Sequence, residues 1–287
     1  MSEKLTKVEF TNLDKILYPS LNITKGQIIK YYIQMAPKML DILANRPIVL
    51  TRFPNGVDQE GFYEKDAPKG TPSWVKTIRK YSETAKRELN YILCDDLDTL
   101  IWLANLAALE IHMTLSQADS FEDPDLVVFD LDPKPPAGYQ EVAEVASLIK
   151  EKLDSLGLKS FVKTSGKKGI HVLFPIIKSY SFKRTREFVQ GIGESLKKQT
   201  DTIVTERSKK ETEGKVYIDY VQNSHGRTMI CPYSLRATSH ATVSMPLKWD
   251  EVKKALNPEE FNLFSTAKIM ENPWKGIMEH KQKLEDV

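Results

Sequence analysis

Cysteine is almost missing from this 287-residue chain, with Cys94 and Cys231 the only two. That is too few for a disulfide framework, and the pair has no metal-site spacing, so a reducing cytoplasm is the expected setting. Long apolar runs are missing too. No stretch of about eighteen apolar residues could span a bilayer, and Glu3, Lys4 and Lys7 precede no apolar segment of the signal-peptide kind. A strong excess of one charge is also lacking, since 41 Lys and Arg face 39 Asp and Glu for a net +2. This excludes a non-specific nucleic-acid coat. Affinity for phosphate has to come from local patches such as Lys76-Arg79-Lys80, Lys183-Arg184-Arg186 and Lys209-Lys210, and it has to weaken with salt. There is no internal repeat, no low-complexity linker and no G-x-x-x-x-G-K-[ST] loop.

What is present is an α/β (α+β) pattern long enough for one large domain or two fused lobes, with 41% hydrophobic residues to bury. Thr24 caps a helix expected over 24–44, with Ile28, Ile29, Tyr32, Met39 and Leu43 on its apolar face. Strands are expected over 48–53 and 61–64, a helix over 98–108, and a strand over 110–114 that puts Glu110, His112 and Thr114 on one side. The second half reads as strand, helix (139–156, stopped by Gly157), strands 158–163 and 170–175, helix 183–198 and a last strand over 216–222. The acidic stretch 117–125 is the expected boundary between lobes of about 1–120 and 121–287.

Chemistry concentrates in three short stretches. In Val127-Val128-Phe129-Asp130-Leu131-Asp132-Pro133 the strand period turns Asp130 and Asp132 to one face. Two carboxylates side by side repel unless a cation lies between them, and hard oxygen ligands suit Mg²⁺ or Mn²⁺. An isolated D-x-D is more often a solvated strand end. Asp219, in Val216-Tyr217-Ile218-Asp219-Tyr220-Val221-Gln222, adds a third carboxylate on a face shared with Tyr217 and Val221. Between them, Thr164-Ser165-Gly166-Lys167-Lys168-Gly169-Ile170-His171 joins two strands by a Gly-Lys hairpin that can bring backbone N–H groups to a phosphate.

The order D-L-D-P, S-G-x-K-G-x-H, hydrophobic-D-[WY]-x-Q-N and P-Y-S-L-R closely resembles the polymerase domain of DNA ligase D, in the archaeo-eukaryotic primase superfamily. Thr11 to Pro19, Thr24-Lys25-Gly26, Pro54 to Val57, Phe62 to Lys65 and Glu110-Ile111-His112 extend the likeness over nearly the whole chain. The resemblance implies a primase-like core of two sheets flanked by helices, with an RNA-recognition-like second lobe. It implies that Asp130, Asp132 and Asp219 are catalytic and hold two Mn²⁺ or Mg²⁺ ions. Arg52, Lys65, His112, Ser165, Lys168, His171, Gln222 and Arg236 would bind a nucleoside triphosphate, and Tyr63 would stack on the template. Asn12, Lys15 and Lys25 would take the 5′-phosphate of a broken or gapped DNA end. The implied function is template-directed extension of 3′-hydroxyls in non-homologous end joining, with ribonucleotides preferred, Ku and a separate ligase as partners, no membrane, and a place in the cytoplasm on nucleoid DNA.

Met113-Thr114 stands where the family often has Pro-Trp, and the basic loop 207–215 matches in place rather than residue by residue. No K-x-D-G adenylation motif occurs. The chain is therefore expected either to act beside a separate ligase or to be part of a longer polypeptide. Three alternatives remain in view: a de novo primase, a non-catalytic module for DNA ends, and a phosphatase of the haloacid-dehalogenase type. The last would need a later acidic pair.

Overall fold

The computed structural model describes residues 7–83, 85–206, 212–252 and 257–284. Residues 207–211 of the expected basic loop, with Lys209 and Lys210, fall outside those residues.

A small hairpin, β1 (Ile16–Tyr18) and β2 (Ile23–Thr24), leads into α1 (Lys25–Leu43). Thr24 caps this helix as expected. Its hydroxyl accepts from Gln27 N and Gln27 Oε1 accepts from Thr24 N at 2.9 Å, a reciprocal pair that satisfies two otherwise orphan donors. The first sheet follows, built from β3 (Pro47–Arg52), β4 (Phe62–Glu64), β5 (Thr77–Ser82), β6 (Arg87–Leu93) and β7 (Ala108–Thr114), with α2 (Leu97–Asn105) before β7. The β5–β6 hairpin has no counterpart among the sequence expectations. Its residues are largely charged and polar, and β5 sits at a sheet edge where one face stays wet, so the apolar signal is weak.

The second sheet uses β8 (Leu126–Pro133), α3 (Tyr139–Ser155), β9 (Phe161–Thr164), β10 (Ile170–Pro175), α4 (Phe182–Lys197), β11 (Ile203–Val204) and β12 (Val216–Ile218). Its spatial order is β11-β12-β8-β10-β9-β14, with β14 being Pro246–Leu247, and α3 and α4 pack together against it. The β-α-β-β-α-β order read from the sequence is observed with one addition, the two-residue β11 between α4 and β12. Remaining to be placed is β13 (Thr228–Ile230), which leaves the second half and pairs with β7 at the edge of the first sheet. The two sheets are thereby stitched together, and one continuous apolar core runs from Val8 to Leu284.

The helix expected over 98–108 ends at Asn105, the strand expected over 158–163 begins only at Phe161, and the last expected strand is cut short as well. The strand anticipated over 216–222 ends at Ile218, and Asp219 caps a 3₁₀ turn, Tyr220–Asn223, so Tyr217, Asp219 and Val221 do not share a strand face. The cause is local: Asp219 Oδ1 accepts from Val221 N at 3.1 Å, a side-chain bond that competes with the ladder and bends the backbone away from it.

Candidate functional site

β8 lies between β12 and β10 in the sheet, and its buried first half holds its polar end at the rim of a cleft of about 620 Å³. Asp130 and Asp132 line this cleft, as do His112, Ser165, Lys168, His171, Gln222 and Arg236. The structure thus gathers eight of the expected site residues from both sheets.

Ladder register explains how. His171 lies directly across from Asp130, and its Nε2 is 3.1 Å from Asp130 Oδ1. Burial would raise the Asp130 carboxyl, yet the adjacent His171, with the nearby Lys163 and Arg236 charges, holds it below its ordinary value. His171 itself is pushed down, first by burial and then by the Lys163 charge. At neutral pH it is an imidazole whose Nε2–H serves a carboxylate.

The hairpin between β9 and β10 faces the carboxylates. Ser165 Oγ accepts from Lys167 N at 3.2 Å and from Gly169 N at 3.0 Å, which closes the turn around it. Both glycines are needed for close approach. Gly166 has φ +72° and a Cβ there would stand 2.6 Å from Arg236 Cγ, while a Cβ on Gly169 would stand 2.4 Å from Leu131 O. Arg236 is laid over the hairpin, and its Nη1 donates to Ser165 O at 3.3 Å.

Asp219 belongs to this site through its backbone. Its N–H donates to Asp130 O at 2.9 Å, so the two residues are cross-strand neighbours. Its carboxylate, however, accepts from Val221 N and from Tyr217 OH, and among the described residues no three His, Cys, Asp or Glu side chains stand at metal-ligand spacing. The three carboxylates therefore meet in register and not in side-chain geometry. Neighbouring carboxylates repel, and here each is turned to a local partner. The donor set still fits the implied metal: two carboxylates on β8 that line the cleft wall and a third just past the end of neighbouring β12 are hard oxygen ligands that suit a hard divalent cation.

Two further groups were given no role in the site from the sequence. Lys163 is wholly buried, donates to Ser244 Oγ at 2.6 Å, and is pushed down to about 7 by burial and then by Arg236. Glu110 stands behind the cleft wall with Oε1 3.0 Å from Arg236 Nε and Oε2 3.2 Å from His112 Nε2. The strand period that put Glu110 and His112 on one side was the available signal. Nothing in the sequence paired Glu110 with Arg236.

Tyr63, 55% exposed on β4, does not line the cleft but touches two residues that do, edge-on to His112 and with its hydroxyl 3.3 Å from Thr228 Oγ1. Arg52 and Lys65 are not on the cleft wall. Arg52 ion-pairs with Glu64 at 3.1 Å and donates to Leu106 O at 3.0 Å, while Lys65 is lowered by burial and by Arg227. Asn12, Lys15 and Lys25 form a separate cluster at the start of α1. Asn12 adopts φ +50°, Lys25 N donates to Lys15 O at 2.8 Å, and Lys25 Nζ donates to Asn105 O at 3.1 Å and Thr11 Oγ1 at 3.3 Å. Burial, then the Lys15 charge, lowers Lys25. Two cations held together beside a helix N-terminus suit an anion.

Comparison with known proteins decides the family. The model of the LigD primase-polymerase domain matches residues 24–274. The chain belongs to that family. With it comes the reaction class, a metal-dependent nucleotidyltransferase of the primase-polymerase kind. The chain is similar to the bifunctional non-homologous end joining protein LigD of Bacillus subtilis, with 36% identity over 90% of this chain and 41% of that protein. It is also similar to the multifunctional LigD of Mycolicibacterium smegmatis, with 34% identity over 87% of this chain and 33% of that protein. It therefore spans about a third to two fifths of the curated relatives' length. The polymerase domain of Mycobacterium tuberculosis ligase D, solved in complex with DNA, superposes with a TM-score of 0.87 at 31% identity, covering 96% of this chain and 99% of that one. Among the described residues no helix is long and apolar enough to cross a membrane.

Proposed function

We propose that this chain extends the 3′-hydroxyl of a broken or gapped DNA strand, copying a template from nucleoside triphosphates during non-homologous end joining. One observation carries the reading: Asp130 and Asp132 share a cleft with the Ser165–Gly169 hairpin and Arg236, so a carboxylate pair faces a phosphate cradle. Two Mg²⁺ or Mn²⁺ ions held by Asp130, Asp132 and Asp219 would supply Lewis acidity and charge neutralisation at the reacting phosphate.

The protein's own part is positioning. His171 keeps Asp130 ionised and oriented. Arg236 clamps phosphate oxygens, Lys168 adds a point charge, and the hairpin N–H groups and Ser165 hold the tail. Asp219 assists loss of the primer hydroxyl proton, and Gln222 and His112 border the nucleotide. Arg52, on β3, and Lys65, just after β4, support the nucleotide or template. Tyr63 stacks on a template base, and Asn12, Lys15 and Lys25 take the downstream 5′-phosphate. Both lobes work as one catalytic domain in the cytoplasm, on nucleoid DNA, with Ku and a separate ligase as partners and ribonucleotides preferred.

The test is extension of a gapped duplex bearing a 5′-phosphate, with ribo- or deoxyribonucleotides under Mg²⁺ or Mn²⁺. Extension with either ion supports the reading. Failure with both, or synthesis only on an unprimed single strand, overturns it, the second outcome in favour of a primase.

A further inference from the structure

Glu110 is out of place in a site for a polyanion. It is only 6% exposed, sits behind a wall meant to attract phosphate, and simple charge counting says that it should weaken binding. We infer that Glu110 is a positioning residue: it sets the places of Arg236 and His112, and through them the incoming triphosphate, without touching the nucleotide. This inference rests on the nucleotide-binding reading of the cleft.

The division of its two oxygens is the main observation. Oε1 accepts from Ala237 N at 3.1 Å and lies 3.0 Å from Arg236 Nε, so it fixes both the backbone and the guanidinium of the arginine segment. Oε2 lies 3.2 Å from His112 Nε2, whose ring also reaches Thr51 Oγ1 at 3.4 Å. A carboxylate acceptor requires Nε2–H on His112, which selects its tautomer. One side chain on β7 thus governs two cleft-lining groups, one on its own strand and one from the segment that crosses to the second sheet.

Arg236 needs such an anchor. A long flexible side chain gains little from reaching a phosphate if it must first be ordered, and ordering it beforehand removes that cost. Its Nε makes no aligned hydrogen bond, so the attraction to Glu110 is mainly that of charge. The remaining restraints lie on other atoms: Nη1 donates to Ser165 O, and Tyr18 OH donates to Arg236 O at 2.9 Å. The charge is secure. Burial would raise the Glu110 carboxyl, but the His112 bond and the Arg236 charge hold it at about 2. His112 is itself lowered by burial, so at neutral pH it gives Glu110 a hydrogen bond and Arg236 provides the countercharge.

The sign of the mutational effect separates this role from bulk electrostatics. If Glu110 only contributed charge, removing it would tighten triphosphate binding. If it positions Arg236 and His112, removing it loosens binding despite the gain in positive potential. ATP binding to the full chain on a gapped duplex with a templating thymine, with Mn²⁺ present, is measured by calorimetry. The variants are Glu110→Ala, Glu110→Gln, Arg236→Ala and the double variant Glu110→Ala/Arg236→Ala. Loss of an interaction to a charged group predicts a Kd raised about tenfold in Glu110→Ala and about threefold in Glu110→Gln. In the Arg236→Ala background, Glu110→Ala should add less than about threefold, because the two act as a unit. Affinity for the duplex should stay within about twofold throughout.

Tighter or unchanged ATP binding overturns the inference. So do equal losses for ATP and duplex, which mean general damage, or fully multiplicative effects in the double variant. Glu110→Gln keeps the side chain's size and an acceptor for Ala237 N, so the sign is readable even if the alanine variant does not fold. A wild type that binds ATP but extends no primer refutes the polymerase reading and leaves this result standing. A wild type that binds no ATP refutes both.

Discussion

Arg46 and Asp125 form a two-pronged ion pair, Nη1 to Oδ1 at 2.8 Å and Nη2 to Oδ2 at 2.9 Å, with side chains 0% and 3% exposed. Arg46 follows α1 and Asp125 precedes β8, so the pair ties the first helix to the strand that carries the cleft aspartates. Arg46 also donates to Ile42 O and Thr114 O, which brings four of its five N–H donors into hydrogen bonds, as burial demands. Arg46→Met strands a carboxylate in the core and should cost about 3–5 kcal/mol in urea unfolding. Adding Asp125→Leu should restore most of it. A single variant as stable as wild type would show that the pair holds nothing.

The cleft carboxylates make a sharper demand. Asp130→Asn is nearly isosteric and sits at a strand end where the side chain is 21% exposed, so folding should persist while primer extension falls on the order of a thousandfold, the rate equivalent of several kcal/mol of lost charge stabilisation. Circular dichroism checks the first half and a gel extension assay the second. Extension at the normal rate would remove Asp130 from the site.

The lysines at the start of α1 predict a difference between substrates. Lys25→Ala should weaken binding to a gap with a 5′-phosphate about tenfold, the value of a charge-assisted hydrogen bond, and barely alter binding to the same gap without it. Equal losses on both, by fluorescence anisotropy, would reduce the cluster to general electrostatics. The effect should shrink as salt rises.

Lys163 predicts a dependence of stability on pH. Its folded value of about 7 lies below the ordinary 10.5. Below pH 7 it is protonated folded and unfolded, and the cost of burying its charge is fully present. Above about 10.5 it is neutral in both and the cost is gone. In between, the unfolded chain binds more protons, so this group makes stability rise with pH. Lys163→Met should therefore raise the urea midpoint most at pH 6.5 and progressively less by pH 9, measured with chelator present. A gain that does not change with pH would place the effect in packing.

Much of the second lobe was legible because its strands are buried on both faces and read as unbroken apolar runs, as in Val127 to Phe129 and Val172 to Phe174. The α1 cap was legible for a similar reason: Thr24 and Gln27 are three apart and meet locally. The β5–β6 hairpin escaped because half its residues face water. The end of β12 escaped because an aspartate's local bond to Val221 N overrides a run of strand-forming neighbours.

The amino-acid sequence by itself determined the main helices and the buried strands of the second lobe, that Asp130 and Asp132 share a face, and where the hairpin glycines fall, because each depends on neighbours a few residues apart. Only the tertiary structure decided that β13 returns to the first sheet, that Asp219 lies across from Asp130, and that Glu110 meets Arg236. Those contacts join distant segments, and their partners are selected by ladder register and core packing, which no local pattern encodes.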